Sequence, residues 1–259
     1  MTVPEEIVRP VTEDVGTEDL GTVLGVWAHP DDEAYLSAGL MGALRDTGHR
    51  VVVATATYGE NGAPDPVEMP PYRLAEIRKG EMVSSLSIVG VWEHRWLGYH
   101  DGECADADGG VASVAELIED VEPDTILTFG PDGMTGHSDH RAISEWTTEA
   151  WRASGARARL LYATLTPGFH AEWGPLNDQV GLWMSGSPPE TPAEDLALYV
   201  ELAGTDLERK IDAVRAHVSQ ATGLVDLVGL DTFRRWWSAE AFVAADGTEP
   251  SSAVVGGVR

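Results

Sequence analysis

The sequence predicts an α/β fold, a mostly parallel central sheet flanked by helices with its functional groups at the carboxyl ends of the strands. Three observations predict it. Apolar, β-prone runs at 22–28, 50–57 and 124–129 read as strands, the second so continuously apolar that both its faces should be buried. Stretches of helical periodicity separate them, as β-α-β units require. Two of the strands end abruptly in clusters of His and Asp, and the carboxyl edge is where open α/β sheets build their sites.

Residues 1–20 are acidic with little periodicity and are expected to form an extended lead-in. The first strand spans 22–28. Leu36, Leu40 and Leu44 then recur at helical spacing over 33–47, and Gly48 provides a stop. The strand at 50–57 is followed by a turn-rich loop, 58–71, carrying Gly59-Glu60-Asn61-Gly62 and four prolines. A helix is expected over 72–88, a short strand over 91–96, a helix over 111–121 and a strand over 124–129. Another helix starts near Ser138 and runs to about Ser154, followed by a strand at 158–165. The segment 167–192 is rich in Gly, Pro and Trp and has weak periodicity. A strand at 196–202 precedes one amphipathic helix over 205–221, with Leu207, Ile211, Val214 and Val218 on its apolar stripe. The segment 233–244 is aromatic-rich, and 246–259 reads as a frayed tail. With no internal repeat or linker, 21–245 is expected to be one domain.

Composition narrows the function. A formal net charge of −26 repels phosphate polymers and anionic membrane surfaces, so nucleic acid and lipid surfaces are not expected partners. The single cysteine, Cys104, excludes an intrachain disulfide and fits a reducing compartment. The N-terminus lacks the basic start and apolar core of a signal peptide, and no apolar run approaches the roughly 20 residues that span a bilayer. A cytoplasmic location without membrane insertion is the expectation.

The chemistry is concentrated in two clusters, Ala28-His29-Pro30-Asp31-Asp32-Glu33 and Gly136-His137-Ser138-Asp139-His140. Each admits a plain structural reading, with Asp31 or Asp32 capping the next helix and Asp139 doing the same for the later one. Together they admit another. Two strand ends that both carry His and Asp can assemble a mononuclear metal site with a carboxylate base beside it. Three N or O ligands leave a position for water, whose pKa then falls to near ~7. An adjacent carboxylate takes the proton, and an imidazole stabilises the oxyanion. An amide hydrolase is the expected activity.

These two clusters resemble those of the LmbE-like (PIG-L) zinc-dependent de-N-acetylases. The supporting segments are Tyr58-Gly59-Glu60, Arg73-Leu74-Ala75-Glu76, Leu97-Gly98-Tyr99-His100-Asp101-Gly102 and Lys210 with His217-Val218-Ser219-Gln220. The resemblance implies a Rossmann-like fold and removal of an N-acetyl group from an acetamido sugar or glycoconjugate, giving acetate and an amine. It implies zinc held by His29, Asp32 and His140, a donor set that also suits Fe2+, Co2+ or Mn2+. It further implies Asp31 as general base, and His137 as oxyanion stabiliser or acid, oriented by Asp139. Arg73, Asp101 and Glu60 fall at positions that contact the substrate, expected to be an N-acetylglucosaminide. Homo-oligomerisation is left open.

There are departures from the family pattern. Ser138 stands where proline is usual, Thr135 where some members have tyrosine, and His100 where proline is commoner. Trp173, Trp183, Trp236 and Trp237 offer faces for a sugar or, one by one, simply pack in the core. Two rival functions remain at this level, a metal-dependent phosphohydrolase and a non-catalytic glycoconjugate binder. The chain lacks the Asp-x-Asp spacing and the Gly-rich phosphate loop that the first would want.

Overall fold

The computed structural model describes residues 20–184 and 188–245 and the backbone of a short strand at 254–255. The expected lead-in and tail lie almost wholly outside these residues. Strands β1 (Val23–Trp27), β2 (Val51–Thr57), β3 (Glu93–Tyr99), β4 (Thr125–Phe129) and β5 (Arg159–Thr164) run parallel. Two more, β6 (Leu198–Glu201) and β7 (Ala239–Ala244), extend the sheet, with β7 antiparallel to both β5 and β6. The two-residue β8 (Val254–Val255) lies beside β6. The spatial order is β3-β2-β1-β4-β5-β7-β6-β8.

This order places the functional groups. From β1 the chain moves outward to β2 and β3, then returns to lay β4 and β5 on the other side of β1. The crevice beyond the carboxyl ends of β1 and β4 is therefore the topological switch point. Every residue of β1, β2 and β4 is buried, so these strands form a stiff central platform. Trp27 meets Phe129 edge-on directly beneath the crevice, with ring centroids 5.1 Å apart.

Among the described residues, eight α-helices cover the sheet: α1 (Asp32–Asp46), α2 (Pro71–Ile88), α3 (Gly110–Val121), α4 (Ser138–Ala153), α5 (Pro167–Val180), α6 (Gly204–Arg215), α7 (Val218–Val228) and α8 (Leu230–Trp236). Lys210 of α6 and Glu240 of β7 form a fully buried pair 3.0 Å apart. Glu240 also accepts the N–H groups of Gly39 and Leu40, each at 2.8 Å, which ties α1, α6 and β7 together. No helix among the described residues is long and apolar enough to cross a membrane.

The structure departs from the sequence reading in the C-terminal third. The weakly periodic segment after 167 contains α5, started by Pro167 and capped by the Thr166 hydroxyl, which accepts the Phe169 N–H. The helix expected over 205–221 breaks into α6 and α7 at Ala216-His217, because the buried His217 side chain turns away to Glu33. The aromatic-rich 233–244 divides into the end of α8 and strand β7. Trp173, Phe233, Trp236 and Trp237 form a second core there, against Ala34 of α1 and Ile211 and Val214 of α6. β3 begins later than expected and continues through Leu97-Gly98-Tyr99, with a register shift opposite Thr55–Thr57 and Gly98 at φ 81°.

Candidate active site

Strand β1 ends at Trp27, and the next five residues carry His29, Asp31 and Asp32 into the crevice. Asp31 is non-glycine yet sits at φ 112°, a left-handed conformation that costs free energy and persists only when its surroundings hold it. Glu33 holds it: one carboxylate oxygen accepts the Asp31 N–H at 3.1 Å, and the other pairs with His217 Nε2 at 3.1 Å. Asp31 occupies the N-cap position of α1, but its side chain makes no cap bond. The carboxylate instead lines the cavity, 3.3 Å from a guanidinium nitrogen of Arg78. Burial pushes the Asp31 carboxyl up to about 6 against the pull of Arg78, with Asp32 adding to the rise.

The imidazoles are sorted by their hydrogen bonds. His29 Nε2 faces the carboxylates of Asp101 at 3.1 Å and Asp139 at 3.2 Å. Ionised carboxylates only accept, so this nitrogen carries a proton and Nδ1 faces Asp32 and His140. His140 Nδ1 lies 3.0 Å from the Gly133 carbonyl, which also only accepts, so its Nε2 lone pair is free. Phe129 stacks on the His140 ring at 4.1 Å, an apolar support at the end of β4. Burial and the charge of His29 hold His140 well below the usual imidazole range. His137 is the N-cap of α4, its Nδ1 accepting the Asp139 N–H at 3.1 Å. That leaves Nε2–H as the donor His137 can offer to the cavity it lines.

These assignments bring three groups into a triangle: His29 Nδ1 lies 3.1 Å from His140 Nε2, Asp32 Oδ1 lies 3.4 Å from His140 Nε2, and Asp32 Oδ2 lies 3.6 Å from His29 Nδ1. A tetrahedral ion with ~2.0–2.2 Å bonds separates its ligands by about 3.3–3.6 Å, which the two Asp32 separations match and the His29–His140 separation falls slightly short of. Among the described residues, two groups have ligand atoms all within 4.8 Å of one another, His29 with His137 and His140, and His29 with Asp101 and Asp139, neither of which includes Asp32. The hydrogen-bond pattern argues against both. His137 has its Nδ1 lone pair engaged, and Asp101 and Asp139 face the protonated edge of His29. Burial lowers the His29 pKa, but its carboxylate partners outweigh this and raise it to about 10.

Asp139 differs from the expectation for it. Its fully buried carboxylate accepts from His29 Nε2, from the Gly102 N–H at 2.7 Å and from the Cys104 N–H at 3.2 Å. It orients His29, and only its backbone amide reaches His137. Despite burial, His29 and the Gly102 N–H hold the Asp139 carboxyl below its usual range. Asp101 lines the cavity, but its carboxylate is also committed, to His29 and to the Asn61 N–H at 2.8 Å. Burial alone would raise it, yet these partners hold it at about 2.

Two of the expected substrate contacts are not among the residues lining the cavity. Arg73 is exposed and absent from the cavity lining, where Arg78 stands in its stead. Glu60 is also outside the lining; its carboxylate accepts the Asp101 N–H at 3.1 Å and so supports the loop behind the site. The Arg78 guanidinium lies over Gly59, where a Cβ would come within 2.2 Å of it, and it donates to the Gly59 carbonyl at 2.9 Å and to the Pro30 carbonyl. Arg78 was discoverable from helix phase, since it falls midway between buried Leu74 and Met82 on the inward stripe of α2. Of the four tryptophans considered, Trp183 and Trp237 line the cavity, while Trp173 and Trp236 belong to the second core. His100 is exposed, 3.5 Å from Glu60.

A parallel sheet with imidazoles and carboxylates converging at its switch point defines a class of enzyme, the metal-dependent hydrolases. A model of the GlcNAc-PI de-N-acetylases (PIG-L) matches residues 24–151, which include both clusters. The chain is 31% identical over 241 residues to a 1D-myo-inositol 2-acetamido-2-deoxy-alpha-D-glucopyranoside deacetylase of Actinosynnema mirum, covering 80% of this chain and 83% of that one. The deacetylase of the same description from Kineococcus radiotolerans is 32% identical over 158 residues, 49% of this chain and 44% of that protein. Among solved structures, N,N'-diacetylchitobiose deacetylase from Pyrococcus horikoshii superposes with a TM-score of 0.65 at 22% identity, covering 92% and 91% of the two chains, a likeness of fold. The chain belongs to the PIG-L/LmbE-like family of metal-dependent deacetylases, hydrolases of carbon–nitrogen bonds.

Proposed function

We propose that the protein removes the acetyl group from an acetamido sugar, free or within a glycoconjugate, releasing acetate and an amine. The observation that carries this reading is the pairing of a ligand-spaced His29–Asp32–His140 triangle with a strained, buried Asp31 beside it. The relatives named as acetamidoglucoside deacetylases supply the substrate class.

His29, Asp32 and His140 would hold the ion, zinc being the expected one. When bound, it supplies a Lewis acid that acidifies water and polarises an amide carbonyl. Asp31 is the general base. With its carboxyl at about 6, it is ionised near neutrality yet basic enough to accept a proton as water attacks the acetyl carbonyl. Arg78 fixes the direction of that carboxylate, and the Glu33–His217 pair fixes the backbone beneath it. His137 offers Nε2–H to the carbonyl oxygen as it gains charge. The proton taken by Asp31 then lies within the site for return to the departing nitrogen. No tyrosine stands at Thr135 to share that task.

Asp31→Asn should lower turnover by roughly 10²–10⁴-fold while bound zinc, measured by atomic absorption, stays at the wild-type ratio. Retained turnover would remove Asp31 from the role of base, and lost zinc would make it a ligand.

A further inference from the structure

The cavity, of about 590 Å³, falls in the ~300–1,000 Å³ range of sites that bury most of a small ligand. It has two chemically different halves, and the fold separates them. The polar half comes from the ends of β1, β2 and β3 and from α2 and α4, and holds the residues described above. The other half is built by Leu165 at the end of β5, Phe169 on α5, Leu182 just beyond α5, Leu224 on α7 and Trp237 after α8. Tyr35, one turn along α1 from Asp31, joins the halves. Its ring lies 4.6 Å from that of Trp237, which is 6.4 Å from Phe169. These side chains form a contiguous wall.

Charge is absent from this wall among the described lining residues. Arg78 is the one Arg or Lys lining the cavity, and it is committed to Asp31 and to two backbone carbonyls. Among the described lining residues, the carboxylates of Asp31, Asp32 and Asp101 outnumber the single guanidinium of Arg78, within a chain of net charge −26. A phosphate on the substrate would find carboxylates and no free cation. A polyol laid on the wall would give up water hydrogen bonds without replacement. An apolar group would gain from burial there.

We infer that the substrate is an uncharged acetamido sugar bearing an apolar aglycone, its acetyl group at Asp31 and its aglycone against Tyr35, Phe169 and Trp237. This rests on the deacetylase reading of the same site and narrows it to a substrate unlike the inositol glycoside named for the curated relatives. Relatives of this fold share the reaction more readily than the leaving partner.

The test is steady-state acetate release by the zinc-loaded full chain from five compounds that share N-acetylglucosamine: the free sugar, its two phenyl glycoside anomers, its inositol glycoside and its 1-phosphate. A phenyl glycoside should exceed both the free sugar and the inositol glycoside in kcat/KM by about tenfold or more, with the phosphate slowest. Phe169→Ala and Leu224→Ser, each checked for an unchanged circular dichroism spectrum, should reduce the phenyl-to-free-sugar ratio by about tenfold, through KM. A phenyl glycoside no better than the free sugar, or a preference for the inositol glycoside or the phosphate, would overturn the aglycone assignment and leave the deacetylase reading standing. No acetate from any of the five, with zinc bound, would overturn the deacetylase reading and this inference with it.

Discussion

Replacing Asp139 by asparagine removes one negative charge and one acceptor from a carboxylate that serves three buried donors. Those donors are His29 Nε2 at 3.2 Å, the Gly102 N–H at 2.7 Å and the Cys104 N–H at 3.2 Å. The amide keeps one oxygen and points its own N–H groups at partners that also donate. Leaving a buried donor unpaired costs about 1–3 kcal/mol, which for a domain of this size lowers Tm by roughly 2–10 °C. The functional effect is separate. His29 keeps Asp101 on the same nitrogen at 3.1 Å, so its ring is weakened in orientation rather than released. Losing such an outer partner typically costs about 10–100-fold in metal affinity, or about 1.4–2.8 kcal/mol. Competition with a zinc chelator of known affinity measures the second effect, and calorimetry of the metal-free protein measures the first. Wild-type zinc affinity in a folded Asp139→Asn protein would refute the assignment of Asp139 as the group that orients His29.

The buried Glu33–His217 pair should give stability a definite pH profile. Burial alone would lower His217, but Glu33 raises it above 6.5, while His217 lowers Glu33 below 4.5 despite burial. The histidine's contribution is complete below 6.5 and is lost as pH rises through its raised value. The glutamate's is complete above 4.5 and is lost as pH falls through its lowered value. His217→Ala should therefore destabilise most between pH 4.5 and 6.5, on the order of 3 kcal/mol in urea unfolding, with the gap narrowing on either side. A pH-independent difference would contradict the ion pair. Cys104 is buried, and burial together with the charge of Asp139 pushes its thiol up. A thiol reagent at pH 8 should leave the native protein unmodified and react with one equivalent on unfolding; rapid native reaction would mean that the α3 side of the site opens readily.

The residues that carried the reading from sequence were those whose meaning is local. β1 and β4 announce themselves as apolar runs, and each delivers its imidazoles and carboxylates within a dozen residues, so parallel neighbours with sites at one edge followed directly. What stayed hidden depends on distant partners. His217 breaks an otherwise continuous amphipathic helix because Glu33, 184 residues away, claims its side chain. The antiparallel β7 inserts between β5 and β6 through pairings that no short window contains. Asp139 looks equally suited to either neighbouring histidine until the fold brings His29 to its carboxylate. Arg73 and Arg78 both begin an Arg-x-x-Glu spacing, and only helix phase separates the exposed one from the buried one. The metal-ligand candidates were legible because the ligating residue types sit together in the motifs; of the groups that orient His29, Asp139 lies in the second motif and Asp101 comes from the loop after β3.

The most direct test of the central claim follows acetate and amine together, using the zinc-loaded protein and an N-acetylglucosaminide, before and after a chelator and again after zinc is restored. Equimolar acetate and amine that stop with the chelator and resume with zinc are the predicted result. Hydrolysis that continues undiminished in protein shown to be free of metal would contradict the assignment of His29, Asp32 and His140 as the ligands of a catalytic ion.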